Sequence, residues 1–217
     1  MRKPIVLGLA AAAAAAFTLS AAPVRAEMKP GTYVYRVNHS RHGEIGTHTI
    51  KLARRGAQTI AEVALKLRVR IILVTAHRES AQRREVWQGG RMVGYSSTTV
   101  ENGKTIKVSA KVAGGTLVVT GPGGTKSAPL GTFPTNPWNI GILKARTVMD
   151  TKTGQIKKVV AIQPAGEELV VTGGGQVKAR KYLFQDDAKR FLWFDIHDRL
   201  VKFRVFRDGS AVTFTLK

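Results

Sequence analysis

The sequence predicts an all-β fold: one curved, mainly antiparallel sheet of about a dozen strands, half-barrel or barrel-like, with one short helix packed on it. Two observations predict this fold. From residue 32 onward, short runs of alternating apolar and polar residues are separated by turn residues at regular spacing, as in sandwiches and barrels. Outside the N-terminal apolar run, residues 133–156 are the one segment with a helical pattern, and such a helix usually covers the apolar face of a sheet.

The first 26 residues have the pattern of a secretory signal peptide. Arg2 and Lys3 form a basic start, residues 5–19 are almost all apolar or small, and Val24 and Ala26 occupy the −3 and −1 positions of a cleavage site. A membrane anchor needs about 20 apolar residues, and this run is shorter. We therefore expect export to the periplasm of a Gram-negative envelope. The mature protein, residues 27–217, should be one antiparallel β domain without a transmembrane segment.

Composition restricts the chemistry and the partners of the mature protein. The chain has no Cys, which excludes disulfides, thiolate metal sites and Cys nucleophiles. The signal peptide contains three of the 35 basic residues and none of the 14 acids, so the mature chain carries a formal net charge of +18. Outside the cytoplasm the expected anionic partners are lipid head groups, lipopolysaccharide or acidic polymers rather than nucleic acid. The other interpretation is a solvated basic face that only maintains solubility.

The clearest strand pattern covers residues 59–74. Apolar and charged side chains alternate there, so that one face of the strand should be buried and the other wet. The inward row includes Leu65, Leu67, Val69 and Ile71. The outward basic row is Lys66, Arg68 and Arg70, and a second strand adds Lys202 and Arg204 to this basic face.

The predicted helix has a recognisable start and one apolar stripe. Asn136 is the expected N-cap, with Pro137 at the first helical position. Trp138 and Ile142, with Leu143 or Ala145 as further members, lie on one side at helical spacing. We expect Trp138 to anchor the core.

Catalytic and metal-binding motifs give little signal. The Gly-rich residues 121–126 are not followed by a helix start, which a phosphate loop requires. No G-x-S-x-G motif occurs. His39, His42 and His48 lie on one predicted hairpin and could converge on a metal, although no Cys completes the set. The sequence therefore predicts no catalytic residues, no metal site and no cofactor, and leaves the histidine cluster and a hydrolase with an unrecognised site open.

Several segments resemble one family of exported bacterial proteins. The segments are YVYRVNHSRHGEIGTHTI near the start, REVWQGGRMVGYSS, PTNPWN with MDTKTGQ after it, and LWFDIHDRLVKFRV near the end. They are similar to domain-of-unknown-function family 6134 over nearly all the mature chain. The resemblance implies export and the fold, and it brings no catalytic residues. More loosely, the chain is similar to other exported families of unknown function that have an antiparallel sheet wrapped around a helix, and it resembles in outline the periplasmic lipoprotein carriers.

Two functions fit these features. The first is binding of an apolar or amphipathic envelope molecule between the concave sheet and the helix. The pocket would be lined by Trp138, Ile142, Leu65, Leu67, Val69 and Ile71. The second is a structural or accessory role in which the basic face docks on anionic lipid or lipopolysaccharide.

Overall fold

The computed structural model describes residues 28–71, 74–207 and 209–217. The predicted signal peptide and the side chain of Ile71 lie outside the described part. The described residues form sixteen strands and one 3-10 helix, Ile140–Lys144. The strands are β1 (Gly31–His39), β2 (Gly43–Arg55), β3 (Gln58–Ile71), β4 (Val74–Gln88), β5 (Arg91–Glu101), β6 (Lys104–Ala113), β7 (Thr116–Gly121), β8 (Gly124–Ala128), β9 (Phe133–Pro134), β10 (Thr147–Met149), β11 (Ile156–Lys158), β12 (Ala161–Thr172), β13 (Gly175–Gln185), β14 (Lys189–Asp195), β15 (Leu200–Arg207) and β16 (Ser210–Leu216).

Thirteen of these strands form one large sheet in the order β12-β13-β14-β15-β16-β1-β2-β3-β4-β5-β6-β7-β8. Every neighbouring pair is antiparallel, which confirms the predicted all-β antiparallel class. The pairing of β16 with β1 joins the two ends of the described chain, with Leu216 opposite Tyr35. The sheet is not closed, because β12 and β8 are its two edge strands.

The segment between the two edge strands is an insertion, residues 129–160, which forms a second sheet. Its order is β11-β10-β9, with β10 antiparallel to β11 and parallel to β9. Trp138, Ile142, Val148 and Met149 of the insertion are buried in the common hydrophobic core. The insertion therefore fills the interior of the curved sheet.

The predicted helix is wrong in type and in its start. The described residues contain no α-helix; residues 140–144 form a single 3-10 segment, whose N-cap is Asn139 and not Asn136. Asn139 accepts a hydrogen bond from the Gly141 amide at 2.8 Å. Asn136 cannot cap the helix because its side chain bonds to other parts of the core, as described below. The strand count is also higher than predicted, thirteen in the main sheet and three in the insertion.

Close backbone packing occurs where β2 meets β3. The pairing of β1 with β2 is irregular after Val37, and Gly46 follows this irregularity. A Cβ atom at Gly46 would lie 1.9 Å from the Lys66 carbonyl oxygen of β3. The added Cβ atom and the carbonyl oxygen are both attached directly to strand backbone, so neither can move away without disturbing the pairing of β2 with β3.

We expect Gly46→Ala to lower the free energy of unfolding by about 1–3 kcal/mol, because the added methyl group overpacks this contact. Chemical denaturation of the variant and the wild type measures the change. Gly131→Ala is the matched control, since a Cβ atom there meets nothing within 4 Å. Equal midpoints for the two variants would contradict the expectation.

Candidate functional site

The inner surface of β4 and β5 is polar, whereas the inner surface of β3 is apolar. Alternate residues of β4 face inward, and the register places the inward residues of β5 opposite them, with Glu85 opposite Tyr95 and Arg83 opposite Ser97. We call this surface the inner polar wall; its members are His77, Glu79, Arg83, Glu85, Tyr95, Ser97, Thr99 and Glu101. The Tyr95 and Ser97 hydroxyls donate to the Thr151 carbonyl at 2.7 and 3.2 Å. The insertion is therefore anchored on this wall.

Glu85 forms the buried end of the inner polar wall. Its Oε2 accepts hydrogen bonds from the indole Nε1 of Trp87 at 2.9 Å and of Trp138 at 2.7 Å. Its Oε1 accepts from Asn136 Nδ2 at 3.2 Å. Complete burial raises the pKa of Glu85, and the three hydrogen bonds and the charge of Arg83 oppose that rise. One carboxylate thus joins β4 to two points of the insertion.

Asn136 connects Glu85 to His48 on β2 through the hydrogen bonds of its two amide atoms. Because Asn136 Nδ2 donates to Glu85, its Oδ1 faces His48 Nε2, 3.2 Å away. The bond therefore assigns the imidazole proton to Nε2. Burial, together with the charge of Arg83, lowers the pKa of His48 to about 3, against the opposing Asn136 bond. His48 is a neutral core residue, and its Nδ1 has no hydrogen-bond partner within the described part of the chain.

The more exposed end of the wall is an ion-pair cluster. The donor atoms of His77, Glu79 and Glu101 lie within 4.8 Å of one another, which is a spacing that could hold a metal ion. However, Lys152 Nζ already lies 2.5 Å from Glu101 and 3.5 Å from Glu79. Asn102 Oδ1 accepts from the Arg78 amide, so its Nδ2 faces His77 Nδ1 at 3.5 Å. With Nδ1 accepting from Asn102, the ring proton lies on Nε2, which faces Glu79 and Glu101 at 3.8 and 4.0 Å, and a nitrogen that carries a proton cannot ligate a metal.

The predicted pocket residues that the structure describes lie in the packed core or at its edge. Trp138 is fully buried and packs edge-to-face on Trp87 at 5.6 Å; Ile142 and Leu65 are buried, and Leu67 and Val69 are half-buried in the same core. A cavity of about 440 Å³ lies along β2–β4 and includes only Leu67 of the predicted set. It is lined by Ile45, Gly46, Thr47, Lys66, Leu67, Arg68, Arg78, Glu79 and Ser80.

The three histidines of the first hairpin do not share one environment. The rings of His39 and His42 lie 4.7 Å apart at the exposed turn. His48 instead packs in the core between Tyr35, Phe203 and Phe214. These positions separate His48 from the other two, and no group of metal donors among the described residues contains them.

A second depression lies where the insertion leads into β12. Its volume is about 530 Å³, and its walls come from the end of the 3-10 helix, β10, β11 and the start of β12. We call it the seam depression. It is lined by Ala145, Arg146, Thr147, Lys158, Val159, Val160, Ala161 and Ile162. Five of these residues are aliphatic, two are cationic and none is acidic.

The predicted basic residues lie on the outer face of the large sheet. Lys66, Arg68 and Arg70 are exposed on β3, whereas Lys202 and Arg204 are half-buried on β15. The strand register connects the two groups through the row Lys202, Thr215, Arg36, Thr47 and Lys66. The two groups are therefore parts of one outer basic stripe, with cations on alternate strands.

The comparisons with known proteins establish the family. The sequence profile of a domain of unknown function, DUF6134, matches residues 33–217. The chain belongs to the DUF6134 family. This match confirms the resemblance found in the sequence. A search of curated proteins finds no match to this DUF6134 chain.

Two solved structures are similar to this chain, and one of them supports the fold. A β-barrel-like protein of domain of unknown function DUF1849 from Brucella abortus superposes with a TM-score of 0.63 at 11% identity, over 86% of this chain and 94% of that chain. A "putative lipoprotein" from Parabacteroides distasonis ATCC 8503 matches with a TM-score of 0.40 at 8% identity, over 88% and 97% of the two chains. The first likeness supports a barrel-like fold, and the second is too weak to carry an argument. In the part of the chain that the structure describes, no helix is long and apolar enough to cross a membrane.

Sequence reasoning missed the inner polar wall. The signal that could have revealed it is the run from Ala81 to Trp87. Arg83 and Glu85 are alternate residues of this run and so point to the same face of the strand as Ala81 and Trp87. Charged residues on both faces of a strand indicate that the buried face carries polar groups. Their partners Asn136 and Trp138 are about 50 residues away in sequence, so no local pattern connects them.

We expect Trp138→Phe and Glu85→Gln to be energetically coupled, because the indole N–H of Trp138 donates to Glu85. In the wild type, removing this donor should cost about 1–3 kcal/mol of unfolding free energy. In the Glu85→Gln background the cost should be at least about 1 kcal/mol smaller. A double-mutant cycle by chemical denaturation measures the coupling, and additive losses would refute it.

The lowered pKa of His48 predicts a loss of stability in acid. Between pH 6.5 and about 3 the unfolded chain binds a proton that the folded chain excludes, so the free energy of unfolding falls as the pH falls. From pH 7 to pH 5 the wild type should lose about 2 kcal/mol relative to His48→Gln. Denaturation at both pH values measures this difference. His42→Gln, at an exposed position, should keep the wild-type dependence; the same behaviour in both variants would exclude His48 as the cause.

Proposed function

We propose that this protein is an exported periplasmic protein that binds an anionic amphipathic molecule of the cell envelope in the seam depression. The signal-peptide pattern supports export. The observation that carries the binding proposal is the lining of the depression, which combines an aliphatic surface with two cations and no acid. An acyl chain fits the aliphatic part, and an anionic head group fits the cations.

Size and exposure support this site. A volume of about 530 Å³ lies within the roughly 300–1,000 Å³ that is usual for small-molecule sites. Val160 is 69% exposed at its rim, and exposed apolar side chains beside a depression often mark a binding surface. Arg146 and Lys158 are both exposed, and the hydrogen bond from the Val159 amide to the Arg146 carbonyl, at 2.9 Å, fixes their strands side by side.

The site differs from the one that the sequence predicts. Trp138 fills the space under the 3-10 helix, since it is fully buried and both bonded to Glu85 and packed on Trp87. The C-cap residue of that helix, Ala145, nevertheless lines the seam depression. The ligand would therefore lie beside the end of the helix and not beneath it.

Titration calorimetry with palmitate tests the proposal. The mature protein should bind palmitate, and it should bind the uncharged methyl palmitate at least about tenfold more weakly, because the ester lacks the charge that Arg146 and Lys158 attract. Arg146→Glu combined with Lys158→Glu should weaken palmitate binding by about tenfold or more.

Matched controls locate the site. Lys107→Glu combined with Lys111→Glu makes the same charge change at exposed positions of β6 and should leave the affinity within about twofold. Leu67→Trp fills the cavity along β2–β4 and should also leave binding intact. The assignment to the seam depression would be wrong if the two charge reversals weakened binding equally. It would also be wrong if Leu67→Trp abolished binding and the reversal of Arg146 and Lys158 did not.

The outer basic stripe supports a second candidate function, docking on an anionic lipid or lipopolysaccharide surface. The supporting observation is the register that aligns Lys202, Arg36 and Lys66 on one face of the sheet. Arg36 pairs with Glu44 at 3.3 Å, whereas Lys66 has no ion pair within 4.0 Å among the described residues. Attraction of this kind is screened by salt over about 8 Å at physiological ionic strength.

A further inference from the structure

The outer side chains of β14 and β15 place cations beside aromatic rings. On β14 they are Lys189, Phe191 and Trp193, and on β15 they are Lys202, Arg204 and Phe206. The register places Trp193 opposite Lys202 and Phe191 opposite Arg204. Together with Lys181 of β13, which is opposite Trp193, these residues form what we call the cation–aromatic face.

The rings hold the cations in place. Lys202 Nζ lies 4.4 Å from the centroid of the Trp193 ring, and Lys181 Nζ lies 4.9 Å from the Phe191 ring. Lys189 Nζ lies 5.5 Å from the Phe191 ring. These distances are within the range of cation–π attraction. The positive groups are thus ordered over a fixed platform and do not move freely in solvent.

Positive charge on this face exceeds the negative charge that could balance it. Within the face and its contacts, the acid that faces the cations is Glu168, 2.5 Å from Lys181 and 4.0 Å from Lys202. Glu168 also accepts from Trp193 Nε1 at 2.8 Å. Burial and the neighbouring Arg204 charge lower the pKa of Lys202, which indicates crowding of like charges. Among the described residues, one carboxylate against four cations leaves a surface suited to an anionic partner.

An exposed aromatic ring borders these cations. Phe206 is 38% exposed and packs against Phe191 with a centroid distance of 6.1 Å. Aromatic rings beside Lys and Arg are typical of surfaces that lie at a membrane–water interface. A soluble polyanion would neutralise the cations but would not use the exposed ring.

We propose that the cation–aromatic face is a contact surface for an anionic phospholipid bilayer, with Phe206 entering the head-group region. This inference rests on the second candidate function and specifies the part of the outer face that touches the lipid. Lys181 and Lys202 share the one carboxylate of Glu168, and lipid phosphates supply the further negative charge that the four cations of this face attract. The ring of Phe206 leaves water as the cations dock.

Vesicle co-sedimentation tests the proposal. Wild-type mature protein should bind phosphatidylcholine vesicles that contain phosphatidylglycerol, should not bind pure phosphatidylcholine vesicles, and should dissociate as salt rises. Lys202→Gln combined with Arg204→Gln should weaken binding by about tenfold or more. Lys107→Gln combined with Lys111→Gln makes the same charge change at exposed positions of β6, outside the outer basic stripe, and should weaken it by less than about threefold. Lys66→Gln combined with Arg68→Gln, within the stripe on β3, should weaken binding less than the β15 pair does.

Two changes at Phe206 test insertion of the ring. Phe206→Ser should weaken binding by about fivefold or more without altering the salt dependence, because it removes apolar surface and no charge. Phe206→Trp should keep binding, and its fluorescence should be quenched by brominated lipid more than that of the wild type. A thermal melt of each variant separates these effects from a loss of folding.

The outcomes distinguish this inference from the function on which it rests. If the wild type ignores anionic vesicles, docking itself fails, and the inference with it. If the β3 variant loses binding while the β15 and Phe206 variants keep it, docking stands and the contact surface lies elsewhere. If a soluble polyphosphate displaces the protein from vesicles and Phe206→Trp shows no added quenching, the face binds polyanions and the bilayer contact is refuted.

Discussion

The buried carboxylate of Glu85 is the group on which the interior of this protein depends. It accepts three N–H donors, from Trp87, Trp138 and Asn136. Asn136 in turn fixes the tautomer of His48 on β2. Loss of any donor leaves a polar group unsatisfied in the core, which costs more than a surface bond. The large sheet and the insertion are therefore held together at Glu85, in addition to the bonds from Tyr95 and Ser97 to Thr151, and moving the insertion would break the hydrogen bonds of a buried carboxyl group.

The hydrogen bonds of Glu85 determine which surfaces of the protein remain open for binding other molecules. Because Trp138 is held on Glu85 and packed on Trp87, its side chain fills this part of the concave side of the sheet, where a ligand-carrying protein would need a cavity. Open space remains along β2–β4 and, where the insertion leads into β12, in the seam depression. The outer face carries the cation–aromatic face, in which cations of β15 lie opposite aromatic rings of β14. The two proposed contacts thus lie on different surfaces and can be separated by mutation.

Much of the fold could be predicted from the sequence, because strand patterns are local. Period-two alternation assigned Leu65 to the inside of β3 and Lys66 to the outside, and the structure has them there. The same pattern assigned Lys202 and Arg204 to one face, but it gave no hint that Trp193 lies opposite Lys202. The helix failed because Trp138 and Ile142 are spaced as in a helix yet are buried by packing in an irregular segment, where Asn136 bonds to Glu85 and His48 and does not cap.

The class of the fold, the apolar and basic faces of its strands, and the family, DUF6134, could all be predicted from the sequence. They follow from residue types at fixed short spacings, which the backbone geometry of a strand converts directly into faces. The folded arrangement was needed to show that His48 is a neutral core residue and that Asn136 connects it to Glu85. Those outcomes depend on groups 51 to 88 residues apart, whose burial and hydrogen bonds exist only after the sheet has curved around the insertion.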